Sequence, residues 1–242
     1  GEMGLSGTVD IEERMSLSVD ISGLEITPWA VLLTPEPIEG KLSAHADLQG
    51  DFQHPQIEIK SQIQALKFKR MELGDLSTDL VYNDKKLEVK NLDVTGTDWE
   101  YHLTGYLPLD LSFYATEKRV LDTPQSFKLQ VKGERLELIR WFIPDVEYLK
   151  GDMQGNLNIS GSLFHPQFDG SMTIKNGSLK FAELADPVEN LNVEMRMQNE
   201  NLILDQISGF MEHGETGSGS AFWKIWKLFS KKRKIRGEVN GF

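Results

Sequence analysis

The chain has 242 residues, of which 39% are hydrophobic and 26% charged, with a formal net charge of −11 and no cysteine. So acidic a surface repels phosphate backbones, which argues against a nucleic-acid partner, and disulfides and thiol chemistry are excluded. No apolar run reaches the roughly 18 residues of a membrane-spanning helix.

Along the chain the dominant signal is a period of two, the mark of a strand with one apolar and one wet face. Residues 1–10 read as the tail of a preceding repeat, since Gly4-Leu5-Ser6-Gly7 is similar to Gly214–Gly219, and the chain reads as a piece of a longer one. Met15–Ile21 alternates, and Leu24–Pro35 (with Trp29) then breaks the pattern. From Gly40, Leu42, Ala44, Ala46 and Leu48 alternate with Lys41, Ser43, His45 and Asp47. Ile57–Ile63, Leu76–Tyr82, Leu87–Val94 and Trp99–Leu103 follow as strands, and Pro108–Pro124 reads as an irregular excursion. Phe127–Val131 is the next strand, and Leu136–Pro144 (with Trp141) breaks the pattern again. There Leu138, Trp141 and Phe142 fall at i, i+3 and i+4, the spacing of a short amphipathic helix.

After Gly151, Leu157, Ile159 and Leu163 alternate with Asn156, Asn158 and Ser160, and Phe168–Ile174 follows. Asn176-Gly177 reads as a hairpin turn. Leu191, Val193, Met195 and Met197 alternate with Asn192, Glu194 and Arg196, and Leu202–Ile207 is the last strand. Val193 sits mid-strand with no evident packing partner in its own repeat. Beyond it, Phe222, Ile225, Trp226 and Phe229 share a helical face ahead of Lys231–Lys234, a basic amphipathic segment or else a hairpin with a solvated tip.

These elements recur. Gly40, Gly50, His54, Pro55 and Gln56 are matched 111 residues on by Gly151, Gly161, His165, Pro166 and Gln167. Leu66-Lys67-Phe68 returns as Leu179-Lys180-Phe181 at a spacing of 113, and Leu76, Leu80 and Leu87 as Leu191, Met195 and Leu202 at 115. Self-similarity at a nearly fixed period marks a repeat architecture. The reading is therefore a first repeat over 11–122 and a second over 123–242, in one continuous body.

No catalytic signature is present. His45, His54, His102, His165 and His213 show no metal-ligand spacing, and no nucleophile elbow, phosphate loop or dinucleotide fingerprint occurs. His54 and His165 recur, but each precedes a proline and reads as a turn residue. No enzyme, metal or cofactor is expected.

The glycine, alternating strand, second glycine and proline-ending turn of Gly40–Pro55 and of Gly151–Pro166 resemble the AsmA-like superfamily, and within it the TamB-type translocation and assembly proteins. The leucine-rich turn from Leu136 and the pattern from Leu191 to Leu204 also fit. The similarity extends over most of the chain through motifs of low information. It implies a mainly β fold, an elongated, incompletely closed β-groove with short helical segments. It further implies a carrier of phospholipid between inner and outer membranes in the periplasm of a diderm bacterium, anchored to the inner membrane and working beside an outer-membrane barrel protein. The groove lining would be Leu42, Leu48, Leu157, Ile159, Leu163, Leu191, Val193, Met195 and Met197, with Asp47, Asn158, Glu194 and Arg196 outside. About fifteen strands at about 4.8 Å each make a trough roughly 70 Å long. Alternation alone favours a closed sandwich or solenoid with a filled core, and the resemblance reverses that preference; a factor assisting outer-membrane protein assembly is the alternative function that the resemblance implies.

Overall fold

The computed structural model describes residues 1–10, 14–30, 36–68, 71–116, 118–135, 146–181, 186–199 and 201–210. Leu136–Pro144 and the segment from Ser220 to Lys234 lie outside the described residues. The fold is mainly β, with twelve strands: β1 (Glu2–Val9), β2 (Arg14–Glu25), β3 (Ile38–Asp51), β4 (Pro55–Phe68), β5 (Met71–Asn83), β6 (Lys86–Thr95), β7 (Trp99–Pro108), β8 (Ser126–Arg135), β9 (Val146–Ser162), β10 (His165–Phe181), β11 (Val188–Asn199) and β12 (Asn201–Phe210). One helical turn, α1 (Thr27–Ala30), interrupts them where alternation lapses after Leu24. The strands are hydrogen-bonded neighbours in chain order, an antiparallel sheet that does not close. Every strand read from alternation lies within one of these elements, except that the one through Leu157 and Ile159 ends at Ser162, before Leu163. The chain forms two compact units, Gly1–Lys128 with Ser160–Pro166, and Leu129–Ile159 with Gln167–Phe242.

Within the first unit the ladder sorts side chains into two sets, because successive residues of a strand point to opposite faces. Leu17, Leu48, Ile57, Tyr82, Leu87 and Leu107 stand opposite one another across six strands. Three parallel rows are built the same way, from Val19 to Gly105, from Ile21 to Leu103 and from Leu24 to Tyr101. The opposite set is polar: Asp20, His45, Lys60, Asp79 and Asn91 form one of its rows.

Several local features of the ladder recur at positions 111 residues apart. Gly40 and Gly151 are both in the left-handed region, at φ 151° and 137°. A Cβ on Gly40 would lie 2.7 Å from the Ile63 Cγ2, and one on Gly151 2.7 Å from the Gly177 Cα and 3.1 Å from the Ile174 Cγ2. Ile63 and Ile174 are again 111 residues apart. Just beyond them each strand bulges at a left-handed residue, Ala65 (φ 51°) or Asn176 (φ 50°). The freed amides are taken up alike: Ala65 donates to Asp75 Oδ1 at 2.9 Å and Asn176 to Asn192 Oδ1 at 3.2 Å. The hairpin ends match too, with Asp51 Oδ1 accepting from the His54 amide at 2.6 Å and Ser162 Oγ from the His165 amide at 3.3 Å.

Two sequence expectations change. Asn176-Gly177 is no hairpin turn; it lies inside β10, which runs on to Phe181. The left-handed conformation that asparagine tolerates serves a bulge here. Leu76 pairs with Ile63 and Val193 with Ile174, so the second-copy counterpart of Leu76 is Val193 at a spacing of 117, in place of Leu191 at 115.

The Pro108–Pro124 excursion is irregular, with one isolated bridge, Leu109 to Val120. It is nonetheless well tied. Asp110 is 7% exposed, accepts the Ser112 amide at 2.9 Å and faces the Lys85 Nζ at 3.0 Å. The Ser112 amide, with Lys85 beside it, holds the Asp110 carboxyl down at about 2. The Arg119 guanidinium donates to the carbonyl oxygens of Asp110, Ser112 and Tyr114.

Candidate functional site

The feature that sets this protein apart is the apolar face of the first unit. Of the residues in its four rows, only Tyr82 and Val89 are buried, and all others are half-exposed. Leu42 and Leu48 belong to this half-open set, together with Ile57, Ile59, Ile63, Leu76 and Leu80. The middle of the face is lined with small residues: Ala44, Ala46, Ser61 and Thr78. Ser61 and Thr78 hydrogen-bond each other across the ladder at 2.8 Å, so this polar spot is satisfied internally. The excursion folds over the hairpin-tip end of this face. The Leu111 amide donates to Tyr82 Oη at 2.8 Å, the Phe113 amide to the Phe52 carbonyl at 2.8 Å, and the Phe52 and Phe113 rings lie 5.5 Å apart.

In the second unit some corresponding positions hold larger side chains and others smaller, with Gly155 and Gly170 standing where the first unit has Ala44 and Ile59. Met172 stands where the first unit has Ser61, and Met195 and Met197 where it has Thr78 and Leu80. They border a hollow of about 90 Å³ with Leu129, Val131 and Leu157, beside Gly155 and Gly170. Of the expected lining residues, Leu157, Met195 and Met197 meet here, while Ile159 is half-exposed in the same strand. Leu191 and Val193 are 2% and 5% exposed. Val193 therefore has packing partners after all, with Ile174 and Ile207 opposite it on the two neighbouring strands. Leu163 lies past the end of β9, in the turn before His165, and is 46% exposed. Asn158, Glu194 and Arg196 are exposed and Asp47 is half-exposed. Met172, Leu129 and Val131 were missed as lining residues, although extending the alternation of Phe168–Ile174 and Phe127–Val131 would have found them.

The polar set is organised by cross-strand pairs. His45 Nδ1 lies 2.7 Å from Asp20 Oδ1 and its Nε2 3.1 Å from Asp47 Oδ2. The Asp20 hydrogen bond, then Asp47, pushes the imidazole pKa above 6.5. His102 Nδ1 lies 2.6 Å from Asp93 Oδ1. In the second unit the pair is Arg196 and Asp205, with Nε to Oδ2 at 2.6 Å. Among the described residues no group of three His, Cys, Asp or Glu is placed to hold a metal ion, and no helix is long and apolar enough to cross a membrane.

No family model, curated protein or solved structure matches this chain.

Proposed function

We propose that the apolar face is a carrier surface for lipid acyl chains, and that the chain is a repeat-built segment of a phospholipid conduit of the AsmA-like, TamB-related kind. The observation that supports this is the half-exposure of nearly the whole aliphatic set in the first unit. Aliphatic strand faces ordinarily disappear into a core, and an extended one that stays only half-buried fits an interaction site. Each methylene removed from water is worth about 0.8 kcal/mol, so a 16-carbon chain stands about 12 kcal/mol uphill in solution. A continuous row of leucines and isoleucines lowers most of that barrier. Small residues at Ala44, Ala46 and Ser61 leave room beside them for a chain to lie. No group grips the ligand, which suits passage better than storage. On this reading the segment works in the periplasm between the two membranes and catalyses no reaction.

The test is photo-crosslinking. A crosslinking amino acid at Leu48 or Ile59 is expected to capture phospholipid from vesicles or in cells, and one at Glu58 or Lys60, on the opposite face, is not. Equal capture at both pairs removes the carrier reading.

A second reading, a structural β-solenoid with a filled core, is favoured locally by the burial of Val188, Leu191 and Val193 at 1%, 2% and 5% exposure. Failure of capture at Leu48 together with an intact fold would extend that reading to the whole chain.

A further inference from the structure

Three of the eight methionines converge on one place in the second unit. Met172 and Met195 stand opposite one another on β10 and β11, and Met197 follows two residues on, on the same face. Directly opposed residues hold their Cβ atoms about 4.5–5.5 Å apart. A methionine side chain turns about three bonds, so these separations let the three sulfurs be drawn to one point.

Methionine in a core ordinarily fills gaps, and here the gap is left open. The three side chains border a hollow of about 90 Å³. The space exists because two neighbouring positions lack side chains: Gly155 and Gly170 stand where the first unit has Ala44 and Ile59. A Cβ on Gly155 would lie 3.0 Å from the Val131 Cγ2 and 3.4 Å from the Met172 Cγ, so even an alanine would crowd the hollow. Met172, Met195 and Met197 are all half-exposed, which leaves the hollow reachable from solvent.

The donor atoms facing this space are of one kind. Asn156 and Ser171 also border it, but alternation turns their side chains to the opposite face. The other side chains around the sulfurs are aliphatic. We propose that Met172, Met195 and Met197 form an all-thioether site for a soft monovalent metal ion, copper(I). Thioethers select copper(I), whereas zinc, calcium and magnesium require thiolate, imidazole or oxygen ligands. Neutral donors leave the charge of the ion uncompensated, which a monovalent ion in a half-open hollow tolerates far better than a divalent one. The formal net charge of −11 adds long-range attraction. A thioether carries no proton, so binding needs no deprotonation and is constant with pH, unlike that of a site built on histidine. The site is independent of the carrier reading, which rests on the first unit.

Silver(I), the redox-stable counterpart of copper(I), titrated into the whole chain in chloride-free buffer tests it, read by NMR of isotope-labelled methionine methyls. Saturation at one ion per chain is expected, with shifts at Met172, Met195 and Met197 and none at Met3, Met15 or Met71. Met172→Leu with Met195→Leu keeps the volume and removes two donors. It should weaken binding at least about tenfold, since even a residue that merely orients a metal ligand is commonly worth that much. Affinity should be the same at about pH 5.5 and about pH 8, on either side of the ordinary titration of histidine. Should the double variant unfold, Met197→Leu alone provides the same comparison. No saturation, shifts confined to other methionines, equal affinity for the substituted chain, or affinity lost at the lower pH overturns the assignment. So do phospholipid vesicles that shift these three methyls while silver leaves them unmoved, which would give the hollow to an acyl chain and extend the carrier face to the second unit.

Discussion

The two units carry the same strand pattern and treat it differently. In the first, the described buried hydrophobic residues are Met15, Ala30, Tyr82, Val89 and Trp99; Tyr82 and Val89 belong to the apolar rows, whose other members stay half-buried. In the second, Val146, Leu149, Met153, Ile174, Leu179, Val188, Leu191, Val193 and Leu204 are all below a tenth exposed. The difference lies at one end of the face. Ile174 and Val193 are buried where the matched Ile63 and Leu76 are half-buried, whereas Leu157, Met172 and Met195 are half-buried like the matched Ala46, Ser61 and Thr78. Alternation therefore decides which face of a strand is apolar, and what packs over each end of that face decides whether it is filled.

The largest expected effect comes from placing a charge on each face. Val193→Asp buries an unpaired carboxylate between Ile174 and Ile207, and should destabilise the chain by more than about 3 kcal/mol or prevent folding. The matched change in the first unit, Leu76→Asp, leaves the carboxylate access to water and should cost about 1 kcal/mol or less. Urea denaturation followed by circular dichroism measures both. Equal losses would mean that the two faces are equally filled, and the comparison fails.

Next come the two equivalent glycines. Gly40→Ala and Gly151→Ala both force a Cβ into the left-handed region, at a cost of about 1–2 kcal/mol. The new methyl at 40 meets a side-chain methyl of Ile63, which can turn away, whereas at 151 it meets the backbone of Gly177. Gly151→Ala should therefore give the lower melting temperature, and the reverse order would break the assigned equivalence.

A smaller effect is expected where bulges are latched. Asp75→Ala and Asn192→Ala each leave one exposed amide, of Ala65 or Asn176, to water, and each should cost about 0.5–1 kcal/mol. The change in hydrogen exchange should be confined to residues around 65 or around 176. Faster exchange across a whole unit would show that the bulge carries more than local order.

How far the sequence could be read follows from these same residues. Strand positions and facing were legible because a period of two leaves only one division of side chains. The bulge at Asn176 was not, since a left-handed asparagine before glycine serves a hairpin or a bulge equally. Ala65, which adopts the same conformation with no such dipeptide, shows that the ladder makes that choice. The two-residue error at Leu191 has a related origin: apolar residues two apart lie on the same face, and matching leucine with leucine selects 115 where the register selects Val193 at 117. Openness was hidden for a third reason. Alternation marks the apolar side of a strand, whereas the burial of Val193 beside the half-burial of the matched Leu76 depends on what packs over each.

The smallest expected effect separates the polar faces. His45 of the first unit bridges Asp20 and Asp47, and its pKa is raised above 6.5. Because the folded state holds the proton more tightly, this contribution is fully present below pH 6.5 and is lost as pH rises through the folded value. Arg196 and Asp205 of the second unit behave oppositely. The arginine hydrogen bond lowers the Asp205 pKa below 3.8, so that contribution is present above pH 3.8 and lost only as pH falls through the depressed value. Both pairs are solvent-exposed, and exposed pairs contribute little. The signature is the direction. The melting-temperature difference between the chain and His45→Gln should shrink on going from about pH 5.5 to about pH 8, across the ordinary titration of histidine. The difference between the chain and Asp205→Asn should stay constant over that interval. A His45→Gln difference that is equally constant would mean that the imidazole is not protonated between its two carboxylates, and the contrast between the two polar faces would then rest on geometry alone.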